Sequence, residues 1–197
     1  RGVGLPSQGS TAIVFVTMAP MLALLRASNF SCMTQRGLDA FKKLFSAMPS
    51  DSGMAFVLVP HLDPTHESLM VDLLAKQTAM PVAEARDGMA ILPNHVYVIP
   101  PNADLTIAHR LLHVVPPLPG RGWHTAIDAF FGSLATDQQT HAIGIVLSGT
   151  GSHGAQGLKD ITAAGGMTMV QTPESAEHDQ MPRSAIAAGK VDYVLPP

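Results

Sequence analysis

The sequence predicts an α/β fold: a single doubly wound, mostly parallel sheet with an antiparallel hairpin excursion. Apolar residues make up 46% of the 197 residues and charged residues only 14%, which is typical of a heavily buried sheet. Short apolar runs alternate with helical patterns along the chain, as in successive βαβ units. The run 143–147, interrupted only by Gly144, is too continuous for a strand with one face in water. It indicates a strand that is buried on both faces.

The individual elements follow from their apolar spacing and from the residues that end them. The first helical pattern has Phe41 and Phe45 on one face and ends at Pro49. The loose alternation over 105–115 predicts two antiparallel strands. The predicted helices are 37–48, 68–78, 124–134, 154–164 and 182–188, the last with Pro182 in its first position. The other predicted strands are 55–59, one around residue 82, 96–99, 143–147, 167–170 and 191–195.

Residues 1–36 are predicted to be an atypical N-terminal segment before a domain over residues 37–197. Residues 1–30 show no clear period, so no element is predicted there. The apolar run 12–25 is shorter than the roughly 20 residues of a membrane-spanning helix and contains Pro20. Cys32 is the single cysteine of the chain, which excludes an internal disulfide framework and indicates a cytoplasmic protein.

Charge and histidine spacing argue against two classes of function. The net charge is −3, and no basic run exceeds the pair Lys42-Lys43, so nucleic acid and anionic membranes have no electrostatic attraction to this chain. The pairs His61/His66 and His109/His113 lack the further ligands of a metal site, so surface histidines are expected and no metal.

The glycine-rich stretch Gly149–Gly154 follows the predicted strand and precedes a predicted helix. Its letters match G-x-G-x-x-G, the dinucleotide-binding pattern. However, Gln171 and Thr172 occupy the end of the next strand, where an acidic residue would bind the ribose, and only 43 residues follow Gly154. Ligands collect at the carboxyl ends of strands in open α/β sheets, so 148–154 is predicted to line a functional cleft.

Five stretches of the chain carry a family resemblance. They read GLDAFKKLFSAMP, FVLVPHLDPTHESLM, HVYVIPPNADLTI, GIVLSGTGSHGAQGLK and MPRSAIAAGKVDYVLPP. In this order and spacing, the chain closely resembles the catalytic domain of the bacterial chemotaxis protein-glutamate methylesterases (CheB type). The form found in methylesterase–methyltransferase fusion proteins is the most similar.

The resemblance implies a cytoplasmic hydrolase of glutamyl methyl esters on chemoreceptors, which also deamidates receptor glutamines. No metal or organic cofactor is implied. The implied partner is a methylated chemoreceptor or a related signalling protein, with a covalently linked methyltransferase domain as a further candidate in the parent protein.

The resemblance also implies a Ser-His-Asp triad, in which serine attacks, histidine takes its proton and aspartate orients the imidazole. His61 matches the histidine, but Thr34 stands at the serine position and His153 at the aspartate position. This triad is therefore degenerate, because a neutral imidazole lacks the charge that stabilises the imidazolium. The residues implied to bind substrate are Ser148, Gly149, Thr150, Gly151, Met181 and Arg183.

Several alternatives remain open from the sequence. The departures fit either a copy that has lost most turnover or a frame error upstream of Gly37. Ser31 and Asp63 are conceivable substitutes for the nucleophile and the acid. The function is then a methylesterase, a catalytically impaired adaptor that binds a receptor or signalling domain, or nucleotide binding at 149–154.

Overall fold

The computed structural model of the chain describes residues 13–18, 40–60, 70–116 and 126–197. Within these ranges the strands are β1 (Ile13–Met18), β2 (Ala55–Pro60), β3 (Val82–Glu84), β4 (Met89–Ala90), β5 (Val96–Val98), β6 (Asp104–Ala108), β7 (Leu111–Val115), β8 (Ala142–Val146), β9 (Met167–Gln171) and β10 (Tyr193–Leu195). The helices are α1 (40–47), α2 (Met70–Ala75), α3 (Ala126–Gln138), α4 (Ala155–Ala163) and α5 (Gln180–Ala188), with short 3₁₀ turns at Gln139–His141 and Pro173–Ser175.

Seven of these strands form one parallel sheet in the order β10-β9-β8-β1-β2-β5-β3. Helices α1 and α2 cover one face through Phe41, Phe45 and Leu74, and the ring of Phe45 meets that of Phe56 edge-on at 5.3 Å. Helices α3, α4 and α5 cover the opposite face. The predicted doubly wound α/β class is confirmed.

Strand β8 explains why both faces of the sheet are covered. Val146 packs into the core beneath α3, α4 and α5, whereas Ile145 and Leu147 pack into the core on the α1 side. Alternate residues of a strand point to opposite faces, so a continuous apolar run needs a hydrophobic layer on each side. The prediction of a strand buried on both faces is confirmed.

The antiparallel excursion is also confirmed, as a separate three-stranded sheet in the order β4-β7-β6. The turn between β6 and β7 consists of His109 and Arg110, which both have positive φ, at 51° and 61°. Their N–H groups donate to the Asp137 carboxylate of α3 at 2.5 and 3.1 Å. The sequence did not predict β4 as the third strand.

Some predicted boundaries were wrong. Helix α2 ends at Ala75 instead of continuing to residue 78, because the Gln77 N–H donates to the Leu74 carbonyl in a tight final turn. Helix α3 continues beyond Leu134 to Gln138. Pro182 is the third residue of α5 and not the first, which the helix tolerates because the N–H groups of its first turn have no intrahelical partner.

Strand β1 is the main element that the sequence analysis missed. It occupies the centre of the sheet and pairs in parallel with β2 on one side and β8 on the other. Strands inside a parallel sheet read as continuous apolar runs without alternation. The run IVFVTM therefore showed no period. The distinction between 1–36 and 37–197 stays a prediction, although the sheet takes one strand from the first segment. In the described ranges, no helix is long and apolar enough to cross a membrane.

Candidate active site

The carboxyl ends of β1 and β8 define the topological switch point of the sheet. From β1 the chain adds β2 on one side, and it later returns to add β8 on the other. Met18 lies opposite Pro60 of β2, and Thr17 lies opposite Val146 of β8. Residues that follow these three strands therefore start from one edge, at the position where open α/β sheets bind ligands.

Two predicted triad positions, Thr34 and His61, lie outside the described residues, as do the conceivable substitutes Ser31 and Asp63. His61 directly follows Pro60, the last residue of β2. The roles of these four residues stay predictions.

Ser148 follows β8 and is held by polar contacts on two sides. It is only 6% exposed, and its N–H donates to Gln171 Oε1 at 2.8 Å. Its hydroxyl accepts the His178 N–H at 3.0 Å and lies 3.4 Å from the His178 carbonyl oxygen. The Ser148 hydroxyl is thus engaged in holding the loop before α5 against the end of β8.

Gln171 was considered in the sequence only as the absence of an acidic residue. It is 3% exposed, and besides accepting from Ser148 its amide nitrogen donates to the Ser175 carbonyl at 3.0 Å. The side chain therefore links the carboxyl ends of β8 and β9 to the 3₁₀ turn that follows. These hydrogen bonds give Gln171 a structural role, so its presence at the end of β9 requires no bound nucleotide.

Residues 149–151, called the glycine turn below, are held by the loop before α5 and by its first residues. The Gly149 N–H donates to the His178 carbonyl at 2.8 Å, and the Gly149 carbonyl accepts the Met181 N–H at 2.9 Å. The Gly151 N–H donates to Gln180 Oε1 at 3.1 Å. The turn is therefore preorganised by neighbouring backbone and side-chain groups.

The two predicted substrate-binding residues of α5 differ in their surroundings. The Met181 side chain is fully buried in the core, so it packs the helix while its N–H holds Gly149. Arg183 is exposed, and its Nε donates to Asp179 Oδ2 at 2.6 Å. The Arg183 guanidinium lowers the pKa of Asp179 through this hydrogen bond. Substrate contact by either residue stays a prediction.

His153 lies in the turn just before α4 and is partly buried. Its ring rests against Gly151, because a Cβ added there would come within 2.9 Å of His153 Nε2. Gly151 also has a φ of 86°, which disfavours any side chain. The structure thus brings the acid position against the glycine turn.

A cleft of about 360 Å³ opens beside Ser148, as far as the described residues define it. Its lining residues are Ala40, Lys43, Ser148, Gln171, Ser175, Ala176, Glu177 and Pro197. It lies between α1 and the carboxyl ends of β8 and β9. In the sequence, the segment that contains Thr34 leads directly into α1, so this cleft is close to the predicted nucleophile segment along the chain.

Sequence analysis missed Asp128, a carboxylate in the first turn of α3 that accepts backbone N–H groups of Gly154 and Gly157. The sequence did contain one indication of this role: Asp128 lies between Ile127 and Phe131, two apolar residues that are buried in the helix. A charged residue there needs a polar partner, and the glycine-rich start of α4 provides one.

Metal binding finds no support in the described part of the chain, where no three His, Cys, Asp or Glu residues are grouped to hold an ion. His113 Nδ1 lies 3.6 Å from Asp87 Oδ1 in an exposed pair, and His109 belongs to the hairpin turn.

Comparison with known proteins decides the family. Residues 33–197 match the family model described as CheB methylesterase. The chain belongs to the CheB methylesterase family. The resemblance identified from the sequence is therefore confirmed.

Two relatives illustrate how this CheB methylesterase domain occurs in longer chains. The chain is 43% identical over 126 residues to an uncharacterised 104.1 kDa protein of Rhodobacter capsulatus, covering 64% of this chain and 13% of that protein. It is 29% identical over 192 residues to protein-glutamate methylesterase/protein-glutamine glutaminase 1 of Myxococcus xanthus, covering 95% of this chain and 54% of that protein. It thus spans only part of either relative.

A solved structure supports the fold. The crystal structure of the Thermotoga maritima CheB methylesterase catalytic domain superimposes with a TM-score of 0.80 at 22% sequence identity. The match covers 95% of this chain and 94% of that one. At this identity the likeness establishes the α/β architecture.

Proposed function

We propose that this chain is a protein-glutamate methylesterase, a carboxylic-ester hydrolase that acts on methylated chemoreceptors in chemotaxis-type signalling. The observation that carries the proposal is the match to the CheB methylesterase family over residues 33–197. The Myxococcus relative bears that activity, and protein-glutamine glutaminase, in its name. The preorganised turn at the carboxyl edge of the sheet supports the same proposal. Glutamine deamidation would use the same groups.

The proposed reaction is an acyl transfer to the chain and then to water. The Thr34 hydroxyl attacks the ester carbonyl and passes its proton to His61, and the imidazolium returns that proton to the departing methanol. Water then hydrolyses the acyl intermediate by the reverse proton route. The backbone of 149–151 lines the site where substrate binds. No step requires a metal or an organic cofactor.

His153 is the reason to expect slow turnover. A neutral imidazole can accept a hydrogen bond from His61, but it supplies no negative charge to the imidazolium that forms. Neutralising the triad aspartate of a serine protease lowers kcat by about 10⁴, equivalent to about 5.5 kcal/mol. We therefore propose a weakly active enzyme, with a catalytically impaired receptor-binding adaptor as the second candidate. The degenerate positions Thr34 and His153 are the observation that favours this second candidate.

Restoring the aspartate and the serine of the triad should raise the rate of ester hydrolysis. Methanol release from methylated receptor should be slow for the unaltered chain, rise in His153→Asp, and rise further when Thr34→Ser is added. His109→Asp, which changes an exposed histidine of the hairpin turn, is the matched control and should leave the rate unchanged. Turnover by the unaltered chain near the usual enzymatic rate of about 10 s⁻¹ would contradict the proposed impairment. Binding of methylated receptor without methanol release in any variant would favour the adaptor.

We also propose a partner, a compartment and a linked domain for this chain. The partner is a methylated chemoreceptor or a related signalling protein in the cytoplasm, which agrees with the single cysteine of the chain. A covalently linked methyltransferase domain in the parent protein is the further candidate. The Rhodobacter relative, of which the match covers 13%, shows that a domain like this one can belong to a much longer chain.

A further inference from the structure

Helix α4 receives its N-terminal cap from a different helix. Gly154, the residue before α4, has a left-handed φ of 81° and no side chain to satisfy the free N–H groups of the first turn. Asp128 of α3 does so instead: its Oδ2 accepts the Gly154 N–H at 3.2 Å and its Oδ1 accepts the Gly157 N–H at 2.8 Å. A carboxylate at this end of a helix is also favoured by the helix dipole.

Close packing of α3 on α4 makes this cap rigid. A Cβ at Gly157 would lie 2.3 Å from Phe131 Cβ, and a Cβ at Gly154 would lie 3.1 Å from atoms of Ile127 and Phe131. Both neighbours are buried. The glycines therefore let the backbone of α4 approach α3 closely enough for a short aspartate side chain to reach two N–H groups.

The cap acts on the peptide unit that follows residue 153. The N–H of Gly154 belongs to the peptide bond between His153 and Gly154, so Asp128 holds the orientation of that peptide plane. The ring of His153, in turn, rests against Gly151. Residue 153 thus lies between two groups: Asp128 accepts the N–H of the peptide that follows it, and Gly151 lies against its ring.

We propose that Asp128 is a positioning residue, which orients the side chain at the acid position of the triad through the 153–154 peptide. The catalytic consequence rests on the proposed function, whereas the orientation of residue 153 does not. Asp128 acts through residue 153 and need not contact substrate.

Asp137 provides a matched control on the same helix. Its carboxylate also accepts two backbone N–H groups from a neighbouring turn, those of His109 and Arg110. It anchors the hairpin excursion and not the glycine turn. A purely structural role for Asp128 would therefore make Asp128→Asn and Asp137→Asn behave alike.

The experiment has two readouts. In the otherwise unaltered chain, the NMR signal of the His153 imidazole should move in Asp128→Asn and stay in place in Asp137→Asn. In the Thr34→Ser/His153→Asp background, kcat should fall about 10- to 100-fold in Asp128→Asn with KM nearly unchanged, since small misplacements of a catalytic group have effects of this size. Asp137→Asn should keep its kcat. Asp128→Ser replaces the asparagine variant if that variant does not fold.

The outcomes separate the two proposals. An unmoved His153 signal in the Asp128 variant, or equal kcat in the two aspartate variants, overturns the positioning role. If the His153 signal moves but no variant releases methanol, the proposed esterase function fails while Asp128 still orients residue 153.

Discussion

Asp192, which directly precedes the edge strand β10, is hydrogen-bonded to the neighbouring strand β9. Its carboxylate accepts both the N–H and the hydroxyl of Thr168 in β9, each at 2.9 Å, while its own N–H donates to the Thr168 hydroxyl at 3.1 Å. Thr168 is fully buried. The backbone and side-chain hydrogen bonds from Thr168 lower the pKa of Asp192 below its ordinary value of 3.8.

This geometry predicts a pH-dependent contribution to stability. A carboxyl group whose pKa is lower in the folded state contributes stability above its unfolded pKa and loses that contribution as the pH falls through the folded value. Asp192→Asn should therefore destabilise the protein by about 1 kcal/mol at pH 7, a value kept small because Asp192 is exposed. The difference should shrink below about pH 4. Urea unfolding at pH 7 and pH 3 measures it, and an equal loss at both pH values would contradict the assignment.

At the same scale, local sequence could not reveal the role of Gln171 or Asp128. Each side chain contacts residues that are more than twenty positions away: Gln171 contacts Ser148, and Asp128 contacts Gly154 and Gly157. By contrast, the glycine turn was predictable, because its glycines follow a buried apolar strand directly in the sequence.

The contact between α3 and α4 leaves no room for a side chain at Gly157. Gly157 faces Phe131 so closely that an added methyl group would lie 2.3 Å from Phe131 Cβ, an atom next to the backbone that cannot move aside. Gly132 of α3 is different, because a methyl group there would meet only Asp160 Oδ2 at an ordinary 3.6 Å.

These two glycines predict opposite effects of the same substitution. Gly157→Ala should lower the free energy of unfolding by about 1–3 kcal/mol, since overpacking forces the helices apart. Gly132→Ala should leave stability unchanged or raise it by up to about 1 kcal/mol, because alanine is the better helix former. Chemical denaturation of the two variants makes the comparison, and equal effects would show that the α3–α4 contact does not limit packing.

Element boundaries depended on contacts that the sequence does not display. The hairpin excursion was predicted because its strands β6 and β7 are adjacent in the chain. Strand β4 was not, because β5 and β6 separate it in the chain from β7, the strand with which it pairs. Likewise, α2 was predicted too long because its end is determined by a local turn at Gln77 and not by an apolar period.

On the scale of the whole molecule, β1 joins the two halves of the sheet. Strands β2, β5 and β3 lie on one side of it and β8, β9 and β10 on the other, and each half has its connection through β1. Without β1, the inner edges of β2 and β8 would lose their hydrogen-bond partner.

Truncation tests this arrangement. A chain that begins at Gly37 should lose its cooperative thermal transition, whereas removal of residues 1–10, which leaves β1 intact, should preserve it. Scanning calorimetry and far-ultraviolet circular dichroism distinguish the two. A cooperative transition in the chain that begins at Gly37 would show that residues 37–197 fold without the central strand.

The α/β class, the strand buried on both faces, the hairpin excursion and the family were all predictable from the sequence, because each depends on contiguous apolar runs and motifs. The assembled fold was needed to show that residues 13–18 form the central strand and that Asp128 of α3 caps α4. It was also needed to show that Gln171 and the loop before α5 hold the glycine turn. Strand order and cross-helix hydrogen bonds join residues far apart in the chain, so their partners become identifiable only when the sheet is assembled.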